Sequence, residues 1–209
     1  YKRQISWQGS NLASIYALMG DTEKALRLAE ESVALDRKAN DLLNLSMSMI
    51  ALGFAYYMLG EWDTSEQSYK EALINAEKAH SYQAAAYGNG ALGALYFDKG
   101  EYAKARECFD KMYQVLEKAG AKPIPMLYVY FAFSDALTYI ALGEMEKAKT
   151  LVDKMQELAV QAKDKGLIAS ADLLRAIQFR AERNWPESLK FFERGLQELD
   201  TIDAKRWSL

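Results

Sequence analysis

Tyr96-Phe97-Asp98-Lys99-Gly100-Glu101-Tyr102-Ala103-Lys104-Ala105 is one instance of a phrase that returns along the whole 209-residue chain. Its skeleton is a tyrosine, a glycine, an acidic residue and then a small residue. It recurs as Tyr16–Gly20–Asp21–Ala25, Tyr56–Gly60–Glu61–Ser65 and Tyr139–Gly143–Glu144–Ala148. A fifth, eroded copy reads with Arg180 for the tyrosine, Asn184 for the glycine and Ser188 for the small residue. The turn positions then fall at 20, 60, 100, 143 and 184, a period of about 40 residues. A fixed period of that size marks a stacked array, in which each unit buries its apolar face against its neighbours.

Working outward from the phrase, each unit reads as two helices. Before Gly60, the residues Leu42, Leu45, Met49, Leu52, Ala55, Tyr56 and Leu59 recur at steps of three and four, the spacing of an amphipathic helix. Gly60 supplies the left-handed conformation of a helix stop. A second helix follows with Glu61 and Asp63 near its positive end. Its buried stripe is expected to be Trp62, Tyr69, Leu73 and Ala76. The same plan predicts helix pairs over 1–19 with 22–39, 81–99 with 102–119, 125–142 with 145–164, and 166–183 with 186–199. Pro186 falls in a first turn, where its missing N–H needs no partner. No segment alternates with the period of two that a strand requires.

The expected fold is therefore all-α, with five helix-turn-helix repeats near 1–40, 41–80, 81–122, 123–165 and 166–200. They form one solenoid domain over 1–209, and 201–209 reads as the start of a further helix or a tail. Lys122-Pro123-Ile124-Pro125 coincides with the longest spacing and reads as a longer loop or a stiff elbow. The chain begins at Tyr1 and stops in mid-pattern after Trp207-Ser208-Leu209, which reads as a piece of a longer protein.

Composition bounds the partners. Half the residues are hydrophobic and 26% are charged, which suits a chain that forms a core. The 26 basic and 29 acidic residues are interspersed, for a net charge of −3. That balance points away from nucleic acid and anionic membranes. Arg175, Arg180, Arg183, Lys190 and Arg194 lie among Glu182, Glu187 and Glu193 and read as a solvated face. Cys108 is the only cysteine, so no intramolecular disulfide can form, which fits a reducing, cytoplasmic setting. No apolar run approaches the length of a membrane span.

The repeated residues resemble the tetratricopeptide repeat. The signature of a leucine, a small residue and a tyrosine three further on stands as Leu12-Ala13-x2-Tyr16, Leu52-Gly53-x2-Tyr56 and Leu92-Gly93-x2-Tyr96. Gly100, Ala105 and Phe109 complete it in the third unit. The fourth unit departs with Asp135-Ala136 before Tyr139, and the fifth departs most. The units exceed the family's common length of about 34 residues. In this they are similar to the helical-repeat regions of bacterial and archaeal signalling regulators. The resemblance implies a right-handed α-α superhelix whose first helices line a concave inner face. Small residues such as Ala13, Gly53, Gly93 and Ala136 would let helices approach, and the tyrosine before each turn would fill the gap between them.

Counting back from each turn position, the resemblance places Trp7 and Asn11 on that face, then Met47, Ile50, Phe54 and Tyr57, then Tyr87, Gly90 and Phe97. Tyr130, Phe133 and Leu137 follow in the fourth unit, and Arg175 and Gln178 in the fifth. A groove reading a charged peptide terminus would need several Lys, Arg or Asn residues, and only Asn11 and Arg175 are available. The expected function is a non-catalytic scaffold that binds an apolar or helical protein segment. The alternative is a ligand-sensing regulatory domain of a larger signalling or transcription regulator, with a small molecule stacked on Tyr57, Tyr87, Tyr130 and Phe133. An uncapped end of the stack could also pair two chains as a homodimer.

Other signals are weak. Gly88-Asn89-Gly90-Ala91-Leu92-Gly93 spells a dinucleotide fingerprint but lies within a repeat helix rather than between strand and helix. A lone histidine, His80, builds no metal site, and Cys108 falls on a packing stripe. The chain is expected to be no enzyme and to need no cofactor.

Overall fold

The structure, a computed structural model, describes residues 2–120 and 125–206, and side chains over 6–120 and 131–201. Ten α-helices and no strand occur among the described residues. In chain order they are α1 (Lys2–Leu18), α2 (Thr22–Ala39), α3 (Leu42–Met58), α4 (Trp62–Lys78), α5 (Tyr82–Asp98), α6 (Tyr102–Lys118), α7 (Pro125–Ala141), α8 (Met145–Ala162), α9 (Lys165–Ala181) and α10 (Trp185–Arg206). They form consecutive antiparallel hairpins of the TPR-like solenoid type. The chain divides into two compact units, Tyr1–Lys122 and Pro123–Leu209. Residues 121–124, which include most of the proline-rich joint, lie outside the described residues, and Pro125 opens α7.

Each hairpin turn is made the same way. Gly20, Gly60, Gly100 and Gly143 have φ between 76 and 81°. The next N–H reaches back to the tyrosine carbonyl: Asp21 to Tyr16 (2.9 Å), Glu61 to Tyr56 (3.0 Å), Glu101 to Tyr96 (2.8 Å) and Glu144 to Tyr139 (2.9 Å). This bond closes the helix end by satisfying a carbonyl that has no partner in its own helix. The fifth hairpin corrects the sequence reading. There the left-handed residue is Arg183 (φ 61°), and Asn184 donates to Phe179 at 2.8 Å. Phe179, not Arg180, thus stands for the tyrosine, and Arg183, not Asn184, for the glycine. Asn184 takes the place of the acidic residue, and its side chain accepts weakly from the Glu187 N–H at 3.5 Å. An L-residue in the left-handed region costs about 1 kcal/mol, so the register is set by the hydrogen bonds rather than by the turn residue's identity. Two further details differ from expectation. Trp62 opens α4 with 38% exposure instead of joining the buried stripe, and α10 runs unbroken to Arg206 rather than ending near 199.

Small residues draw the two helices of a hairpin together. The position seven residues before the turn is Ala13, Gly53, Gly93, Ala136 and Ala176, and all are buried. A Cβ on Gly53 would lie 2.6 Å from the Tyr69 ring, and one on Gly93 would lie 2.6 Å from the Phe109 ring. Glycine is required at these two sites because an aromatic ring occupies the space a side chain would need. Small residues also line the second helices, where Ala25, Ser65, Ala105 and Ala148 are fully buried and Ser188 nearly so.

Within each unit the first helices of successive hairpins pack on one another, α1 on α3 and α3 on α5, and likewise α7 on α9. The second helices stand apart: among the described residues, α2 and α4 are spanned by the exposed Arg37–Glu71 ion pair (2.7 Å). First helices therefore form the inner layer of each unit and second helices the outer one.

Candidate interaction surface

In the unit of residues 1–122, the inner layer is α1, α3 and α5. Trp7 projects from α1 with 56% exposure, and Asn11 is also exposed. Met47, Ile50, Phe54 and Tyr57 on α3 are half-buried, as are Tyr87 and Phe97 on α5. Part of this apolar surface serves the core: Ile50 packs against the cluster of Val33, Leu45, Met49 and Ala72, and Phe54 against Ala17, Ala25 and Ala55. Phe54 and Tyr57 stack at 6.1 Å with their planes 19° apart. The Tyr57 hydroxyl donates to Asp98 of α5, tying the two helices at the lip of this face. Burial, and then that hydrogen bond, push the Tyr57 hydroxyl above its ordinary range, so it remains a donor. Asp98 was missed in the sequence, although it is the only charged residue within α3 and α5. Gly90 is buried and offers no surface.

In the unit of residues 123–209, Phe133 and Leu137 are half-buried on α7, and the side chain of Tyr130 lies outside the described residues. Arg175 and Gln178 are corrected by the register of the fifth turn. Counted from Arg183, the inner positions are Ser170, Leu173, Leu174, Ile177 and Arg180, so Arg175 and Gln178 fall one residue away from that row and point into the hairpin joint. Both are buried, at 7% and 1% exposure. Arg175 donates to Gln156 at 2.8 Å, to Gln178 at 2.9 Å and to Asp153, and Gln178 donates to Glu182 at 2.8 Å. Their polar groups are engaged within the chain, which takes Arg175 out of a carboxylate-binding groove, while the same count places exposed Arg180 three residues before the turn.

A second polar feature escaped the sequence reading. The Asp36 carboxylate, 2% exposed, accepts from Ser6 and Ser48, each at 2.5 Å, and Ser10 lies 2.9 Å from Ser48. These hydroxyls bind α1, α2 and α3 together. Serine in an amphipathic pattern reads as surface, which hides such a seam from hydrophobic periodicity.

Two comparisons match this geometry. The tetratricopeptide repeat family matches residues 5–78 and 86–115. The chain is a tetratricopeptide-repeat domain. No curated protein matches it significantly in sequence. Among solved structures, BtubC from P. vanneervenii is similar with a TM-score of 0.73 at 14% identity, over 97% of this chain and 82% of that one. A Rap protein complexed with Competence and Sporulation Factor gives 0.72 at 12%, over 98% and 66%. The nearly identical TPR-like repeats of a Podosopora anserina protein described as a kinesin light chain give 0.71 at 16%, over 97% and 98%. At these identities the likeness is one of fold.

The tetratricopeptide architecture accounts for the residues that suggested chemistry. The glycine-rich stretch lies inside α5, where a Cβ on Gly88 would meet Leu73 at 2.8 Å and one on Gly93 would meet Phe109. His80 is exposed at the left-handed end of α4 (φ 51°), and its N–H donates to Glu77 at 3.0 Å. Cys108 is buried, and burial pushes its thiol up to about 11, which keeps it protonated and unreactive. Among the described residues no cluster of His, Cys, Asp or Glu could hold a metal ion, and no helix is long and apolar enough to cross a membrane.

One tetratricopeptide joint carries a pH signature. Glu66 of α4 accepts from Lys70 (2.7 Å), from Lys99 (2.9 Å) and from the Tyr96 hydroxyl (2.8 Å). Burial alone would raise its carboxyl, but these three donors outweigh burial and hold it down at about 2, from an ordinary 4.5. A depressed folded-state value stabilises the fold above the unfolded value. That contribution is fully present above pH 4.5 and is lost as pH falls toward 2. Because the rim of the site is wet, the expected contribution is about 1–2 kcal/mol. Urea unfolding at pH 7 and near pH 3 should show Glu66→Gln to be less sensitive to acid than the native chain. Equal acid sensitivity would remove Glu66 from this role.

Proposed function

We propose that this chain is a non-catalytic interaction module that holds an apolar protein segment, helical or extended, against the inner layer of α1, α3 and α5. The supporting observation is the chemistry of that layer. Exposed Trp7 and Asn11 stand beside the half-buried Met47, Phe54, Tyr57, Tyr87 and Phe97, and neither α3 nor α5 contains a lysine or arginine. The aromatic rings of α3 and α5, with one carboxylate and no cation on those two helices, favour apolar side chains and disfavour an acidic segment or a free carboxyl terminus. Tetratricopeptide repeats are an interaction fold, and the related Rap protein is complexed with a factor. Within the unit of residues 123–209, α7 by itself also carries half-buried apolar side chains, Phe133 and Leu137.

Selection from a displayed peptide library tests the proposal. Enriched sequences should be apolar with amphipathic spacing. Trp7→Ala and Tyr87→Ala, which should melt like the native chain, are expected to weaken their binding by about tenfold or more. Enrichment of acidic or carboxyl-terminal sequences, or undiminished binding by both variants, would overturn it.

The stacked Phe54–Tyr57 pair favours a second reading, a sensor for a flat small molecule. A melting shift with a metabolite and none with peptides would select that reading over the first.

A further inference from the structure

We infer that Asp98 sets a charge preference for the inner layer of α1, α3 and α5: the apolar segment held there carries one cationic side chain, best an arginine, that pairs with the Asp98 carboxylate at the lip of the aromatic face. This rests on the interaction reading above and adds to it the chemistry of one position in the partner.

The repeat itself does not require this carboxylate. Two residues before the turn, the other hairpins carry Leu18, Met58, Ala141 and Ala181, an uncharged side chain every time. Asp98 is the one charged residue within α3 and α5, and it is exposed. Its Oδ2 accepts from the Tyr57 hydroxyl, which fixes the direction of the carboxylate between α3 and α5. An uncharged amide would accept that bond as well, so the tie between the two helices does not account for the charge. The other oxygen, Oδ1, has no hydrogen-bond partner among the described residues.

The cations close to it in the chain are engaged elsewhere. Lys99 turns to α4, where it bonds Glu66 at 2.9 Å and Asp63 at 3.0 Å, and Lys104 pairs with Glu101. The charge of Asp98 is therefore left without a cation among the described residues, at the edge of an aromatic surface. The Tyr57 ring that bonds it is stacked with Phe54, and Phe97 stands half-buried next to it in the chain. A guanidinium suits such a setting, because it can bond the carboxylate oxygens while its flat face lies against a ring. An acidic side chain at the same place would be repelled, and an apolar one would strip water from the carboxylate without replacing its hydrogen bonds.

Peptide-library selection with the native chain, repeated with Asp98→Asn and Asp98→Arg, tests the inference. The native chain should enrich arginine or lysine at one fixed place in the apolar pattern. Asp98→Asn keeps an acceptor for Tyr57 and should melt like the native chain, yet it should enrich the apolar pattern without that basic residue. Asp98→Arg should enrich an acidic residue there instead. In one selected peptide, methionine in place of the basic residue should weaken binding to the native chain about three- to tenfold. The same replacement should change binding to Asp98→Asn by less than about twofold, the coupling that a direct pair requires. Three results overturn the inference and leave the apolar reading in place: apolar sequences with no fixed basic residue, a methionine peptide bound undiminished by the native chain, or equal losses on the native and Asp98→Asn chains. A selection that yields no apolar pattern overturns that reading and this one together.

Discussion

Phe109→Ala should lower the stability of the domain by about 3–5 kcal/mol, the cost of truncating a large side chain with no solvent exposure. The ring fills the space opened by Gly93, so the two positions should be strongly coupled. Gly93→Ala in the native chain adds a Cβ 2.6 to 2.8 Å from three ring atoms. Overpacking of this kind costs about 1–3 kcal/mol, of which the better helix propensity of alanine returns about 1. In the Phe109→Ala background the ring is gone and only the propensity gain is left, so the sign of Gly93→Ala should reverse. Urea unfolding of the four chains of this cycle measures the coupling. Additive effects would show that the ring moves aside without cost and that Gly93 is there for another reason.

The second large effect is expected at Asp172. Its side chain is 2% exposed and is held by both ends of the Arg194 guanidinium, with Nε at 2.5 Å, and more weakly by Gln156 at 3.4 Å. Arg194→Met leaves that charge buried without a cation, and a loss of about 3 kcal/mol is expected. Arg194→Lys should recover only part, because an ammonium cannot span both oxygens. The double change Asp172→Leu with Arg194→Met removes the charge together with its partner and should lie well above Arg194→Met alone. Thermal melting compared across the three variants decides the point. A double variant as unstable as the single one would mean that the pair shapes the hairpin through packing rather than charge.

Much of the fold was legible because each turn repeats one hydrogen-bonding device around a glycine, and the helices on either side carry a regular apolar stripe. The fifth unit was misread by one residue for the same reason. Arg183 occupies the left-handed site without being glycine, and Asn184 looked more like a turn residue. That slip moved Arg175 and Gln178 onto the inner face, whereas the fold uses them as buried joints. Trp62 was misplaced because an aromatic at the first position of α4 has the right spacing for the stripe but sits beyond the reach of the packed layer. The serine and aspartate seam around Asp36 was invisible because polar residues become structural only when three helices converge on them. On the inner face, Phe54 and Ile50 were legible as apolar, but their division between core and surface depends on neighbours that are distant in the chain.

The joints between hairpins are chemically unlike one another. The first is sealed by Val33, Met49 and the Asp36 hydroxyl seam. The second is an ionic clasp around Glu66, and that between α8 and α9 a guanidinium–amide lattice around Arg175. Near-identical modules are prone to swap places while a chain is folding, and mismatched locks work against that. A module seated against the wrong neighbour would strand a carboxylate or a guanidinium in a dry seam, so the order of the modules is written into their seals. Shuffling or excising an interior module would therefore demand a new seal as well as a new turn.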